Sequence, residues 1–456
     1  MSEPSFLPEA RAYRLRNARV PGAFLTGGVP AGAILDGDGC ALIDIVVADG
    51  VFAGLLPPGG SPDALPAADL AGRQAWPRLV DAHTHLDKGH TVARTPNPDG
   101  DFPGALDATA ADRARHWDAE DLRRRMAFGL ACAFAHGTGA IRTHLDSQDS
   151  GGADALRDQA TTTWAVFREM RAAWAGRIAL QGVGLTPIDT YATDYGRRLA
   201  DLIADSDGLI GGVTRPTGGL HGGALAEIDA LLDRLFGLAR ERGLDVDLHV
   251  DETGDPAATS LDAVARATLR HGYEGRVTCG HCCSLALQPD AQASDTIARV
   301  ARAGIRIVTL PTVNMYLQDR QRGRTPRWRG GAPVQELMAA GVPVMVAGDN
   351  CRDAFYAYGD HDMLDTFRAA VRILHLDNPL AGAPALAGPV PGAMMGLPHA
   401  GTIREGAPAD LILLPARSLN EVVARPHADR IVVVAGRAIA ARRPAYEALS
   451  GEAAPW

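Results

Sequence analysis

One pattern constrains this chain more than any other. Between residues 78 and 349 a short, almost uninterrupted apolar segment recurs eight times, and helix-like stretches separate most of these segments. The eight are 78–85 (RLVDAHTH), 140–146 (AIRTHLD), 178–186 (IALQGVGLT), 208–214 (GLIGGVT), 245–251 (DVDLHVD), 276–281 (RVTCGH), 305–311 (IRIVTLP) and 342–349 (VPVMVAGD). The spacers include amphipathic runs such as AEDLRRRMAFGLACAFAHG and LAEIDALLDRLFGLARERG. A strand that is apolar on both faces must be covered on both faces, which is the condition of a parallel sheet flanked by helices. Eight strand–helix units in succession predict an α/β fold closed as a (β/α)8 TIM-type barrel. The rival is an open doubly wound sheet. It is weakened because no G-x-G-x-x-G turn follows the first strand.

The regions outside the repeat read differently. Residues 13–20 and 41–55 are strand-like, and a Pro, Gly and Ala-rich loop covers 57–72. Strand patterns return at 401–415 and 428–439. Strand-rich ends on both sides of a barrel can pair, so we expect a small discontinuous β-sandwich from 1–77 plus 401–456, beside a catalytic barrel at 78–400. The Pro, Ala and Gly-rich block 379–400 is expected to belong to the closing helices or to a contact surface.

Bulk properties exclude several partner classes. The chain has 456 residues, a net charge of −9 and 46% hydrophobic residues, so no polyanion partner is indicated and nucleic acid is not expected. The basic run 320–329 is local and reads as a solvated or gating loop. The N-terminus (MSEPSFLPEARAYRLRN) lacks the apolar core of a secretory signal, and no apolar run is long enough to span a bilayer. Six scattered cysteines without paired C-x-x-C motifs fit reduced thiols, so a cytoplasmic location and no membrane partner are the expectation.

The polar exceptions to the apolar pattern lie at the strand ends, where barrel enzymes carry their chemistry. The first strand ends in His83-Thr84-His85, whose imidazoles share one face because alternate residues on a strand do. The fifth ends in His249-Val250-Asp251-Glu252, the sixth in His281, and the eighth in Asp349. Singly, each has a plainer explanation: an isolated strand-end His is usually a hydrogen-bonded structural residue, and an Asp after a strand usually caps a helix. Together, four strand ends at one barrel mouth with several imidazoles and two carboxylates point to a metal site. Three imidazoles and a carboxylate suit one borderline divalent ion, Zn2+ or Fe2+, with a remaining position for water. Glu252 is the candidate to take the water's proton and pass it to a leaving nitrogen. Cys279, Cys282 and Cys283 read as packing residues, since adjacent cysteines cannot easily face one ion.

The pieces VDAHTHLDKGH, IRTHLD, DVDLHVDET, RVTCGH, PTVNMYLQ and VAGDNCRDAF, in this order and spacing, resemble the amidohydrolase superfamily and, within it, the cytosine deaminase-like branch. The resemblance implies that His83, His85, His249 and Asp349 ligate one catalytic metal per subunit and that Glu252 shuttles protons. It implies that His281 orients the hydroxide and stabilises the tetrahedral intermediate, and that Asp349 also accepts the water's proton. The implied activity is hydrolytic deamination of a small nitrogen heterocycle, a cytosine-like pyrimidine or related cyclic amidine, by metal-bound hydroxide with release of ammonia. The alternatives are release of an alkylamine from an N-substituted aminotriazine, hydrolysis of a cyclic amide, and a non-catalytic binding barrel. The cyclic-amide reading is disfavoured because the fourth strand (GGVT) offers no lysine to bridge two ions. Relatives are commonly homo-oligomers, so one is expected here.

The chain departs from the branch in its substrate pocket. The Gln that reads the pyrimidine edge at the end of the third strand is missing, replaced by GLTPID, and Gln181 lies too early in the strand to substitute. The branch's second Asp after the eighth strand is Asn350, and its pocket-closing Trp is Phe355. Asn350, Phe355 and His144 are therefore the candidate substrate-binding residues. Asn314, Tyr316 and Gln318, in a segment (313–320) expected to be the loop after the seventh strand, are expected to shape the pocket.

Overall fold

The computed structural model describes residues 6–149, 159–440 and 442–450. The first five residues of the N-terminal stretch, and 451–456 of the segment expected in the small domain, lie outside the described residues. The strands are β1 (Ala12–Pro21), β2 (Cys40–Ala48), β3 (Val51–Leu56), β4 (Ala67–Asp69), β5 (Gln74–Pro77), β6 (Leu79–Thr84), β7 (Thr138–Asp146) and β8 (Ala179–Leu185). They continue with β9 (Ile210–Val213), β10 (Val246–Val250), β11 (Val277–His281), β12 (Arg306–Thr309), β13 (Val344–Val346), β14 (Leu411–Leu414), β15 (Ile431–Val434) and β16 (Arg437–Ala438).

Each of the eight apolar segments contains one strand, β6 to β13, and the strands neighbour one another in sequence order. One sheet runs β6-β7-β8 and a second runs β9-β10-β11-β12-β13, with the pairs of the second sheet parallel. Parallel bridges join the sheets at both seams: Val183 to Leu209 and Pro187 to Val213 on one side, Thr84 to Asp349 on the other. Every residue of β6, β9, β10, β11 and β13 is buried, which is why these strands lack the polar alternation of a half-exposed sheet.

The helices between them start and stop where local chemistry dictates. Ile228–Arg242 buries Leu232, Leu235, Phe236 and Ala239, a helical spacing. It carries Arg240 and Arg242 in its last turn and ends on Gly243, whose left-handed backbone caps it. Ser260–His271 buries Leu261, Val264, Ala265 and Thr268 and stops in the same way at Gly272. The expected loop at 313–320 is in fact largely helix, Pro311–Leu317. Pro311 occupies its first turn, where a missing N–H costs nothing and a fixed φ favours entry. The loop at 57–72 likewise holds β4, a three-residue strand too short to leave a pattern.

A separate eight-stranded sheet draws on both ends of the chain, in the order β16-β15-β14-β5-β1-β2-β3 with β4 on β1. Its core includes Leu15, Val20, Ile43, Ile45, Phe52, Leu411 and Val433. Backbone proximity divides the chain into two compact units. One is Met1–Asp81 with Cys132–Ala140 and Asp362–Arg443; the other is Ala82–Ala131 with Ile141–His361 and Pro444–Trp456. All the candidate site residues fall in the second. Among the described residues, no helix is long and apolar enough to cross a membrane.

Candidate active site

The ends of β6, β10, β11 and β13 converge. One ring nitrogen each from His83, His85 and His249 lies within 4.8 Å of the others, and His83, His281 and Asp349 form an overlapping group on the same criterion. His85 Nε2 stands 3.3 Å from His249 Nε2 and 3.1 Å from Asp349 Oδ1, and His83 Nε2 is 3.5 Å from the same carboxylate oxygen. The backbone fixes this register. Asp349 N–H donates to the His83 carbonyl across 2.7 Å, and Thr84 Oγ1 donates to the Asp349 carbonyl across 2.8 Å. Gly280 faces His249 across the β10–β11 ladder, and a Cβ there would fall 2.9 Å from the His83 ring. The missing side chain makes room for that imidazole.

Several of these residues sit in unfavourable backbone conformations. Asp251, His281 and Asp349 have φ of 48°, 68° and 63°, a left-handed geometry that costs a non-glycine residue of the order of 1–3 kcal/mol. Each stands at or just beyond the last residue of a strand, where the turn redirects the next side chain. Asp251 accepts the backbone N–H groups of Ser260 and Leu261 at 3.1 and 2.9 Å, so it anchors the start of the helix Ser260–His271. That contact leaves Glu252 as the carboxylate directed into the site.

The set fits a divalent cation. Burial drives the imidazoles towards the neutral form, His83 down to about 3 and His85 and His249 well below their ordinary value. Neutral imidazoles offer lone pairs, which is what a metal requires. His85 Nδ1 and His249 Nδ1 have no hydrogen-bond partner, while their Nε2 atoms face each other. Packing proton-poor nitrogens against a carboxylate in a buried space is costly without a cation to satisfy them. A second group, His90, Cys351 and His361, also converges; burial, then His361, Arg352 and Arg125, depress the His90 pKa, and Asp360 partly opposes them.

Glu252 and His281 border the cluster. Glu252 Oε1 is 3.3 Å from His281 Nδ1. Burial raises the Glu252 carboxyl above its ordinary value, and Lys88 and Arg215 only partly oppose this. Asn314, from the helix Pro311–Leu317, places its amide nitrogen 2.9 Å from His281 Nδ1 and 3.4 Å from Glu252 Oε1. With the amide donating to Nδ1, the ring proton of a neutral His281 sits on Nε2. Nε2 is buried and makes no other hydrogen bond. Sequence reasoning singled out Asn314 only as a pocket residue; its contact with His281 depends on the helix that was expected to be a loop.

Above the cluster opens a cavity of about 350 Å3. His85, His249, Glu252 and His281 line its floor, and Asn350 and Phe355 line its wall. Asn350 donates to Asp353 across 2.7 Å, and Phe355 packs edge-on against Phe102. His144 is not among the described lining residues. It is fully buried, its ring tilted by 37° against that of His83 with centroids 3.9 Å apart. Gln181 is also turned away: it accepts hydrogen bonds from Arg142, which in turn donates to Asp247. Cys279, Cys282 and Cys283 are buried free thiols.

This arrangement has counterparts among known proteins. The amidohydrolase family model matches residues 200–440. A pterin deaminase of Rhizobium rhizogenes (strain K84) is 48% identical over 443 residues, 97% of each chain. The chain belongs to the amidohydrolase family. An N-isopropylammelide isopropyl amidohydrolase of Pseudomonas sp. (strain ADP) is 27% identical over 304 residues, 65% of this chain and 68% of that one. A 5-methylcytosine deaminase from Klebsiella pneumoniae, solved with 5-fluorocytosine, superposes with a TM-score of 0.76. It covers 94% of this chain and 97% of that one at 24% identity, a likeness of fold.

Sequence reasoning passed over the most polar part of this amidohydrolase's cavity. Lys88, Arg113, Asp146, Gln148 and Arg215 all line it. Lys88 Nζ lies 2.7 Å from Asp146 Oδ1, and Arg113 lies 2.8 Å from Asp146 Oδ2. Arg215 reaches the Gly219 carbonyl across 3.1 Å. Lys88 stood in the quoted motif VDAHTHLDKGH and Asp146 in IRTHLD, so the signal was present. Their pairing was not readable, because it joins residues 58 positions apart, one just past β6 and one at the end of β7.

Proposed function

We propose that this amidohydrolase is a hydrolytic deaminase of a pterin or a closely related 2-amino-4-oxo ring, producing the dioxo compound and ammonia. The observation that carries this is the convergence of Glu252 and His281 on the His83, His85, His249 and Asp349 cluster at the floor of the cavity. The pterin deaminase relative supports the choice of ring. A cavity of about 350 Å3 accommodates a bicycle more fully than a single pyrimidine ring.

His83, His85, His249 and Asp349 are the residues that would hold one divalent ion per subunit, zinc or iron. Such an ion supplies a Lewis acid that lowers the pKa of water and makes a nucleophile near neutral pH. The remaining chemistry belongs to side chains. Glu252 takes a proton from the attacking water and delivers it to the ring nitrogen beside the amino-bearing carbon; it then takes the second proton, from the oxygen now bonded to that carbon, and passes it to the departing amine. Asp349 is a further acceptor as attack begins. His281, with Asn314 on Nδ1, presents Nε2–H to the oxygen as charge develops on it, a fixed donor in a water-poor site. Water adds to the carbon, the C–N bond breaks, and ammonia leaves, so atoms balance. Asn350 and Phe355 border the ring, whereas His144 supports His83 from behind.

We also read β6 to β13 as one closed (β/α)8 barrel. The seam bridges at Thr84–Asp349 and Val183–Leu209 support closure. The barrel, at 78–400, is the catalytic domain, and 1–77 with 401–456 form the small β domain.

The test is product identification by mass spectrometry after incubating metal-loaded protein with pterin, cytosine, 5-methylcytosine and N-isopropylammelide. Conversion of pterin to lumazine supports the reading. Turnover of N-isopropylammelide with pterin untouched would replace it with alkylamine release.

A further inference from the structure

A deaminase must do more than attack a carbon; it must hold the ring so that the correct carbon meets the nucleophile. In the cytosine deaminase-like pattern this falls to a Gln after the third barrel strand, absent here. Leu185 and Thr186 occupy that part of the cavity wall instead. A ring edge with an N–H beside a C=O needs an acceptor and a donor side by side.

Among the described lining residues, the most buried Lys or Arg to carboxylate pair offers both. Lys88, just past β6, and Asp146, at the end of β7, meet at 2.7 Å with side chains only 6% and 7% exposed, and both line the cavity. Each retains bonding capacity. Lys88 has three ammonium protons, of which Asp146 takes one, and each carboxylate oxygen of Asp146 has a second lone pair. The pair is braced by its neighbours. Arg113 holds Asp146 Oδ2 at 2.8 Å, the Asp146 backbone N–H donates to Asp87 Oδ2 at 2.6 Å, and Phe355 packs beneath the Lys88 ammonium at 5.3 Å. Burial opposes both charges, but Lys88 and Arg113 keep Asp146 ionised, and Asp146 and Asp87 keep Lys88 protonated. A buried ion pair is a poor way to stabilise a fold, because desolvating two charges offsets most of their attraction. Its place in a cavity wall is better explained by what it presents to a ligand.

We propose that the Lys88–Asp146 pair is the specificity determinant that reads the lactam edge of the substrate, Asp146 accepting from the ring N–H and Lys88 donating to the adjacent carbonyl oxygen. The proposal rests on the deaminase reading above. In pterin the amino-bearing carbon lies between two ring nitrogens. One borders the lactam edge, which goes to the pair on β6 and β7. The other is left for Glu252, which follows β10, two strands beyond β8. A lactam-selective site of this kind excludes 2,4-diaminopteridine, whose corresponding edge has donor and acceptor reversed.

The experiment compares kcat/KM for pterin and for 2,4-diaminopteridine in the native enzyme and in Asp146→Asn and Lys88→Met, with metal content measured for each protein. The native ratio is expected to reach about 10³ or more, since a site built for one hydrogen-bonding edge leaves buried groups unpaired against the other. In Asp146→Asn the ratio falls at least ~10-fold, because a carboxamide can turn to match either edge. Lys88→Met lowers it as well. A purely structural role would lower both substrates together and leave the ratio unchanged, which overturns the proposal. Should the variants not fold, product binding to the native protein decides. Lumazine, which keeps the lactam edge, is expected to bind at least ~10-fold tighter than 4-amino-2-oxopteridine, read from pteridine fluorescence. Equal binding overturns the proposal while leaving deamination standing. A native enzyme that does not deaminate pterin removes the functional reading, and this inference with it.

Discussion

The amide of Asn314 donates to Nδ1 of His281 across 2.9 Å, and the same amide nitrogen lies 3.4 Å from the Glu252 carboxylate. One neutral side chain thus sets the tautomer of an imidazole and touches the group proposed to move protons. Its removal is expected to weaken transition-state stabilisation without weakening ground-state binding. Asn314→Leu should lower kcat by about 10²-fold with KM little changed, the scale of losing one oxyanion donor. Steady-state kinetics on the best substrate checks this, and a fall in kcat/KM arising only through KM contradicts it.

Glu252→Gln keeps the shape of the cavity floor and removes the carboxylate. Turnover should fall by about 10²–10⁴-fold, the usual contribution of a positioned acid–base group, while metal content stays at the native level. Atomic absorption on the purified variant, alongside the rate, separates loss of proton transfer from loss of the site. A variant with near-native rate rules out the assigned role.

Gly280→Ala tests the packing that shapes the centre. The new methyl meets the His83 imidazole at 2.9 Å, closer than packed atoms tolerate, so the ring or the strand must shift. Apparent metal affinity, measured by chelator competition, should fall about 10–100-fold, in line with disturbing the groups that orient a ligand. Native affinity would show that His83 does not need this space.

A fourth expectation concerns stability. Arg94 donates to both carboxylate oxygens of Asp112 and of Asp121, and Asp112 lies on the helix Phe102–His116 that lines the cavity. Burial opposes ionisation of both aspartates, but Arg94 acts against it at each, together with Thr95 and Trp117 at Asp112 and Arg125 at Asp121, and their pKa values are held low. Because the folded values are depressed, this stabilisation is complete above the unfolded carboxylate range, near pH 4, and disappears as pH falls through the folded values. Arg94→Met should cost about 1–3 kcal/mol at pH 7, because Arg94 is itself partly exposed but its loss leaves the buried Asp112 short of a partner, and should move acid unfolding to higher pH. Urea unfolding followed by circular dichroism at pH 7 and pH 3 checks both. An equal loss at the two values contradicts the ionic account.

Much of this was legible in the primary sequence, for a physical reason. Strands buried on both faces cannot tolerate polar residues except where the fold needs them, so His83, His85, His249, His281 and Asp349 stood out against an apolar background. Other features depend on contacts between distant segments and leave no local pattern. Gly280 reads as an ordinary strand glycine until the His83 ring is seen beside it. Asn314 lies in an expected loop, because Pro311 ends the seventh strand segment in the sequence pattern but opens a helix in the structure. Lys88 and Asp146 looked like neighbours of the ligand motifs, and only the β6–β7 adjacency makes them a pair. For His144 the strand-end position left two readings open, contact with substrate or support of the ligands, and its ring packs against that of His83.

The most direct measurement is ammonia released from pterin by the purified, metal-loaded enzyme, with Glu252→Gln as the paired control. One ammonia per lumazine formed is expected in the native protein and almost none in the variant. Metal-loaded native protein that leaves pterin intact, or equal release from both proteins, would contradict the deaminase reading.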